Sequence, residues 1–305
     1  MVPNLDRESL LEQINNLTIW NQRGQRAPHK PLLLILALAE LANEKSRLIP
    51  FEYIDKLLGD LLRDFGPPRK FYQPEYPFWH LQNDGGFWEV PERQLAVTRR
   101  GDRKRTKDVP APILREVHAH GGFTPEAFLV LKNDTQLVNQ VVAELLEAHF
   151  PASLHEPILD AVGMPWRPTT SWQEASGSFR EQLLTAYGRR CAVCSFDGCL
   201  AGSDLCLEAA HVKWRKAQGP DTTNNGLLLC NFHHRLLDRG ALGLTPEGTI
   251  LVSQHVHGSD MLDYLLLRHS GEPLRNPQLG YPGPAPEYVA WHAREVFRGP
   301  ARMFG

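Results

Sequence analysis

CAVC at residues 191–194, LEAAHV at 207–212 and NNGLLLCNFHHRLLD at 224–238 decide how this chain reads. Cys191, Cys194, Cys230 and His233 fall into two short pairs, C-x2-C and C-x2-H. Two such pairs on separate turns can close a tetrahedron around Zn2+ and fasten distant segments together. One histidine among four protein ligands suits a closed structural site rather than a catalytic one. Buried thiols at Cys191 and Cys194 with a core Cys230 are the plainer alternative; paired ligands at both ends argue against it. Cys199, in a glycine-rich loop, and Cys206, at the head of an apolar run, are left spare.

A second series is interleaved with the first. His211, Asn225 and His234 are separated by fourteen and nine residues, and Asp238 lies four beyond His234. If residues 231–239 are helical, His234 and Asp238 share a face. On these residues, over 178–253, the chain resembles the HNH nuclease family, which implies a ββα-metal fold. The resemblance makes His211 the general base that deprotonates water. It makes Asn225 the residue that holds the loop and orients that histidine. It makes His234 a ligand of a catalytic divalent cation such as Mg2+ or Mn2+, with Asp238 as a second ligand from the next turn; a carboxylate suits a hard cation. One position departs from the pattern: where relatives often carry a metal-binding Asp or His before the base, this chain has Ala210. Glu208 is the other carboxylate at hand, but strand alternation turns it to the face opposite His211.

The chemistry needs these groups. A phosphodiester repels nucleophiles and has a poor alkoxide leaving group. A metal stabilises the growing charge, while a neutral imidazole accepts the water's proton near pH 7. One base and one metal serve one strand, so cutting a duplex implies two chains and a homodimer.

The whole-chain totals limit the alternatives. At 305 residues there is room for two domains, and 42% hydrophobic with 22% charged residues is a soluble globular composition. The net charge of −2 excludes a globally basic nucleic-acid binder, so cations must act in local patches. Five cysteines, three of them in the zinc set, read as metal usage in a reducing compartment. MVPNLDRESL has no apolar signal core, and the run at 31–38 is too short to span a membrane; the expected location is cytoplasmic.

Periodicity predicts helices at 6–17, from Pro31 through PLLLILALAELANE, and at 51–65 before Gly66-Pro67-Pro68. Aromatics and prolines at 69–90 disfavour helix, and 79–81 with 87–90 read as a small β-hairpin about NDGG. TRRGDRKRTKD at 98–108 is a cationic loop. Helical patterns return at 109–118, 124–131, 134–149 (capped by Asp134) and 155–162. MPWRPTTSWQEASG reads as a linker at 164–177, followed by a capping box of Ser178 and Glu181. A hairpin at 241–253 and a helix at 287–297 complete the chain. The expected class is α+β: a mainly helical DNA-reading domain (1–163), then a zinc-stabilised ββα-metal domain (178–305).

RAPHKPLLL at 26–34 and EYPFWHLQNDGGFWEV at 75–90 resemble the sulfur-binding domain of phosphorothioate-dependent HNH restriction endonucleases. That implies double-stranded DNA bearing a phosphorothioate as the partner. Sulfur is larger, more polarizable and a weaker hydrogen-bond acceptor than oxygen, so setting it against an apolar wall costs less. By resemblance Tyr76 and Pro77 line the cup. His80 stands where relatives carry a small residue. Arg26, His29, Arg99 and Arg100 are the expected donors to phosphates or base edges. Two alternatives stay open: an HNH nuclease directed to methylated or unmodified sequence, and a non-catalytic zinc-stabilised DNA-binding protein.

Overall fold

The computed structural model describes residues 5–19, 25–101, 108–167 and 177–302. They divide into two compact units. The first holds the described residues before 20, then 27–150 and 155–167; the second holds 25–26, 151–154 and 177–302.

In the first unit α2 (His29–Ala42) is the core, with every residue from Leu32 to Ala39 buried. Pro31 sits in its first turn, where the missing N–H would have no partner anyway. Around it pack α3 (Phe51–Phe65) and α8 (Thr135–His149), and α1 (Arg7–Asn15) rests on α8. Asp6, Thr124 and Asp134 cap α1, α7 (Pro125–Asn133) and α8 by accepting from backbone N–H groups three residues on. A small antiparallel sheet places β3 (His120–Phe123) between β1 (Leu48–Pro50) and β2 (Trp88–Glu89). Gly121 is required there, because a Cβ would come within 2.5 Å of the Phe78 ring.

The hairpin expected at 79–81 and 87–90 does not form. Residues Glu75–His80 are helix α4, and Trp88–Glu89 pairs instead with Gly122 and Phe123. Pro74 and Pro77 stand at the cap and within the first turn of α4, where they cost no hydrogen bond; their presence marks a helix start rather than excluding a helix. Phe78 and Trp79 are then free to enter the core, Phe78 meeting Phe51 edge-on at 4.9 Å. Two short helices, α5 (Arg93–Arg100) and α6 (Ala111–Glu116), flank the cationic run, whose residues 102–107 lie outside the described residues. The unit closes with α9 (Ala152–Ala161), whose first residues, 152–154, belong to the second unit.

The second unit opens with α10 (Gly177–Ala186), so Ser178 stands inside the helix rather than at its cap; most of the expected linker, 168–176, lies outside the described residues. A minor ribbon, β4 (Cys199–Leu200) with β5 (Ser203–Asp204), precedes the main pair. That pair is β6 (Leu207–His211) with β7 (Gly226–Cys230), antiparallel, Leu207 opposite Cys230 and His211 opposite Gly226. Helix α11 (Asn231–Asp238) leaves β7 without a break, completing a ββα unit. Gly226 lets α10 approach, since a Cβ there would lie 2.8 Å from both Leu183 and Phe179. The hairpin β8 (Leu242–Leu244) and β9 (Ile250–Val252) forms as expected, with Gly248 at φ 84° in its turn. Then come α12 (Asp260–Leu265) and α13 (Pro286–Glu295). No described helix is long and apolar enough to cross a membrane.

Candidate functional site

The turn at residues 191–196 is held by hydrogen bonds from Ser195 N to Cys191 O and from Cys191 N to Phe196 O, both 2.9 Å. It is fastened to the sheet by Ala192 N to Leu228 O at 2.8 Å. This aims Cys191 and Cys194 at the junction of β7 and α11. There the ligand atoms of Cys191, Cys194, Cys230 and His233 all lie within 4.8 Å of one another. His233 Nδ1 is the nitrogen facing the sulfurs, 3.2 Å from Cys230 Sγ and 3.6 Å from Cys191 Sγ. Its Nε2 lies 3.0 Å from Leu265 O and donates to it. A ligating histidine needs such an outer partner to fix its tautomer. The donor set and its burial fit a structural Zn2+.

The second series also converges. His211 ends β6 with its ring stacked on Phe179, centroids 4.4 Å apart. Its Nε2 is 2.8 Å from Asp221 Oδ1. Burial pulls the His211 pKa below the usual histidine value; Asp221 opposes this without cancelling it. Asn225 is fully buried and clamps the intervening loop. Its Nδ2 donates to Lys213 O at 3.0 Å and Pro220 O at 2.9 Å, and its Oδ1 accepts from Lys213 N at 2.8 Å. The loop is thus fixed on both sides, two residues after His211 and immediately before Asp221.

His234 projects from α11 between two carboxylates. Nδ1 is 2.7 Å from Glu208 Oε2, and Nε2 is 3.3 Å from Asp238 Oδ2. Sequence alternation set Glu208 aside, but register brings it in. β7 ends opposite the start of β6, so the first turn of α11 rises beside Glu208 and presents His234 to it. Ser153 Oγ donates to Asp238 on the buried side. Burial opposes charge on His234, yet Asp238 and Glu208 outweigh it and raise its pKa. Burial raises the Asp238 pKa, whereas the hydrogen bond with His234 lowers that of Glu208. Reading the sequence missed Asp221 and Ser153. Asp221 lies in an ordinary polar loop and Ser153 far along the chain, so neither carries a spacing signal.

The expected DNA-reading residues divide. Tyr76 is 40% exposed on α4, and one turn on, His80 is 6.3 Å from it, ring to ring. His80 Nε2 is 2.7 Å from Asp108 Oδ1, and Arg100 donates to Asp108 O at 3.3 Å. Pro77 is buried, its face turned into the first unit. Arg99 is exposed and ion-paired with Glu116. His29, the first residue of α2, is desolvated beside Arg69, which pushes its pKa down to about 4; near neutral pH it carries no charge. Arg26 belongs to the second unit, its guanidinium 4.0 Å over the Trp214 ring and 3.0 Å from Glu295 O.

Comparison with known proteins adds two domain matches. Residues 7–166 match the family model of the ScoMcrA-like DNA sulfur-binding domain, and residues 191–245 match that of an HNH endonuclease. Among solved structures, the sulfur-binding domain of ScoMcrA complexed with phosphorothioated DNA is 19% identical, over 51% of this chain and 95% of that one, with a TM-score of 0.43. The sulfur-binding domain of SprMcrA complexed with phosphorothioated DNA is 19% identical over 54% and 98%, with a TM-score of 0.42. The modification-dependent TagI restriction endonuclease is 21% identical over 38% and 36%, with a TM-score of 0.29. No curated protein matches the chain.

Proposed function

The chain belongs, through residues 7–166, to the family of ScoMcrA-like DNA sulfur-binding domains, and from its union with an HNH endonuclease domain at residues 191–245 we propose a restriction endonuclease that recognises phosphorothioate-modified double-stranded DNA and hydrolyses phosphodiester bonds nearby. The observation that carries this reading is the joining of that recognition domain to a ββα unit whose His211 and His234 are each held by carboxylates.

In this reading His211 is the general base. Asp221 accepts from Nε2–H, which leaves Nδ1 to take the proton of the attacking water. Burial keeps the imidazole neutral, the form a base requires. Asn225 fixes the loop that carries Asp221, and so acts on His211 at one remove. His234 and a neighbouring carboxylate offer a nitrogen and oxygens, a donor set that fits Mg2+ or Mn2+. Such a cation, when bound, supplies stabilisation of the developing negative charge and of the leaving oxygen. Zinc at Cys191, Cys194, Cys230 and His233 supports the domain and takes no part in the chemistry.

In the recognition unit Tyr76 offers the accessible apolar surface for sulfur, with Pro77 behind it and His80 at its rim. Arg99 and Arg100 are cations within reach of the backbone phosphates. Two chains acting together would cut both strands.

The test is metal-dependent cleavage of phosphorothioate-modified and plain plasmid by the wild type and by His211→Ala. The reading predicts cleavage of modified plasmid only, with the variant inactive yet still binding DNA. Equal cleavage of both plasmids would favour a nuclease for another mark or none. Absence of cleavage under every divalent metal would favour a non-catalytic DNA-binding protein.

A further inference from the structure

His234 has two edges, and they differ in access. On one edge Nε2 faces Asp238, whose side chain is 3% exposed and which also accepts from Ser153. On the other edge Nδ1 faces Glu208, whose side chain is 44% exposed. A cation that acts on DNA must reach a phosphate, and the Asp238 edge has no room for one. The distances agree: Nδ1 is 2.7 Å from Glu208 Oε2, whereas Nε2 is 3.3 Å from Asp238 Oδ2. A nitrogen and a carboxylate oxygen that close share a proton between them, and a divalent cation can take that proton's place. Asp238 then resembles the outer carboxylate that fixes a ligating histidine's ring and raises its basicity.

We infer that Glu208 and His234 Nδ1 form the edge that takes the catalytic divalent cation, while Asp238, held by Ser153, is a positioning residue behind His234. This rests on the nuclease reading and replaces the sequence expectation that Asp238 is the ligand. It also answers the departure at Ala210: the carboxylate missing just before the base is supplied two residues earlier on the same strand, at the end adjoining α11.

The test uses the full zinc-loaded chain and reads metal binding rather than cleavage. Mn2+ binding is followed by electron paramagnetic resonance for the wild type and Glu208→Gln. Cd2+ is then added to Glu208→Cys and to Asp238→Cys, and the thiolate-to-cadmium ultraviolet band is measured beyond that of the wild type. Only a thiolate bound directly to the ion adds such a band. Glu208→Gln is expected to weaken Mn2+ binding at least about tenfold with its melting temperature unchanged, because Glu208 is exposed and unneeded for packing. Glu208→Cys is expected to gain the band and Asp238→Cys to lack it. If Asp238→Cys fails to fold, the Glu208 variants still decide. Mn2+ affinity unchanged in Glu208→Gln, or no added band in Glu208→Cys, overturns the assignment even while the wild type cleaves DNA. A wild type that neither binds Mn2+ nor cleaves removes the nuclease reading, and this assignment with it.

Discussion

His211 Nε2 lies 2.8 Å from Asp221 Oδ1, and the carbonyl just before Asp221 accepts from Asn225 Nδ2 at 2.9 Å. An imidazole, a carboxylate and the amide that fixes the carboxylate's loop therefore form one connected series, which on the proposed reading holds the general base. Asp221→Asn should lower the plateau cleavage rate by about 10- to 100-fold, part of the 10²–10⁴ that a positioned base contributes. The sign of the pH effect follows from the charges. Asp221 favours protonated His211, so its loss lowers the pKa further. The acid limb of the rate profile should move to lower pH while the plateau falls. A pH–rate profile of Asp221→Asn superimposable on the wild type would remove Asp221 from the series.

Zinc removal is expected to unfold the second unit, because the four ligands tie the 191–196 turn to the start of α11. Cys191→Ser should lose bound zinc and the cooperative melting transition of that unit. Metal analysis and calorimetry check this; a zinc-free protein of unchanged stability would contradict the site.

How much of this was legible in the sequence depended on the kind of signal. The zinc set is read from spacing, because short-range spacing survives folding unchanged, whereas the His211, Asn225 and His234 series takes its meaning from the resemblance to HNH nucleases. Helix α3 is equally plain, since its apolar periodicity is undisturbed. Helix α4 is not legible, because Pro74 and Pro77 read as breakers although they occupy the cap and first turn. The contacts of Glu208 with His234 and of Asp221 with His211 carry no spacing signal, because they come from register and loop closure, which bring together residues 26 and 10 apart. Arg26 and His29 are near neighbours in sequence, yet they belong to different units, a division that composition does not mark.

The second unit should weaken in acid through His292. Its ring is buried with Nε2 3.0 Å from Leu237 O, and burial pushes its pKa down to about 4. The fold prefers the neutral form, so this contribution is complete above the unfolded value near 6.5 and is lost as pH falls toward about 4. The loss is about 3 kcal/mol. His292→Gln can still donate to Leu237 O but does not titrate. Its stability, measured by denaturant unfolding between pH 7 and 4, should fall by less than that of the wild type; parallel curves would contradict the assignment.

Arg26→Ala should act on stability rather than on DNA choice. Its guanidinium covers Trp214 and bonds Glu295, so its loss should cost the second unit about 1–3 kcal/mol. The ratio of affinities for modified over plain DNA should stay within about twofold of the wild type, roughly 0.4 kcal/mol. A melting temperature unchanged, with that ratio collapsed, would return Arg26 to the DNA surface.

Sulfur recognition by this chain is measured most directly by the binding of three matched duplexes: plain, and each of the two phosphorothioate diastereomers, at low and high salt. Cations alone treat the sulfur and oxygen diesters alike, and their contribution falls steeply with salt. Contact of sulfur with an apolar surface at Tyr76 adds a term that salt does not screen. The account predicts that one diastereomer binds more tightly than both other duplexes. Its advantage should persist as salt rises while every affinity drops, and it should shrink in Tyr76→Ala. Equal binding of the two diastereomers, or no preference for either over plain DNA, would contradict it.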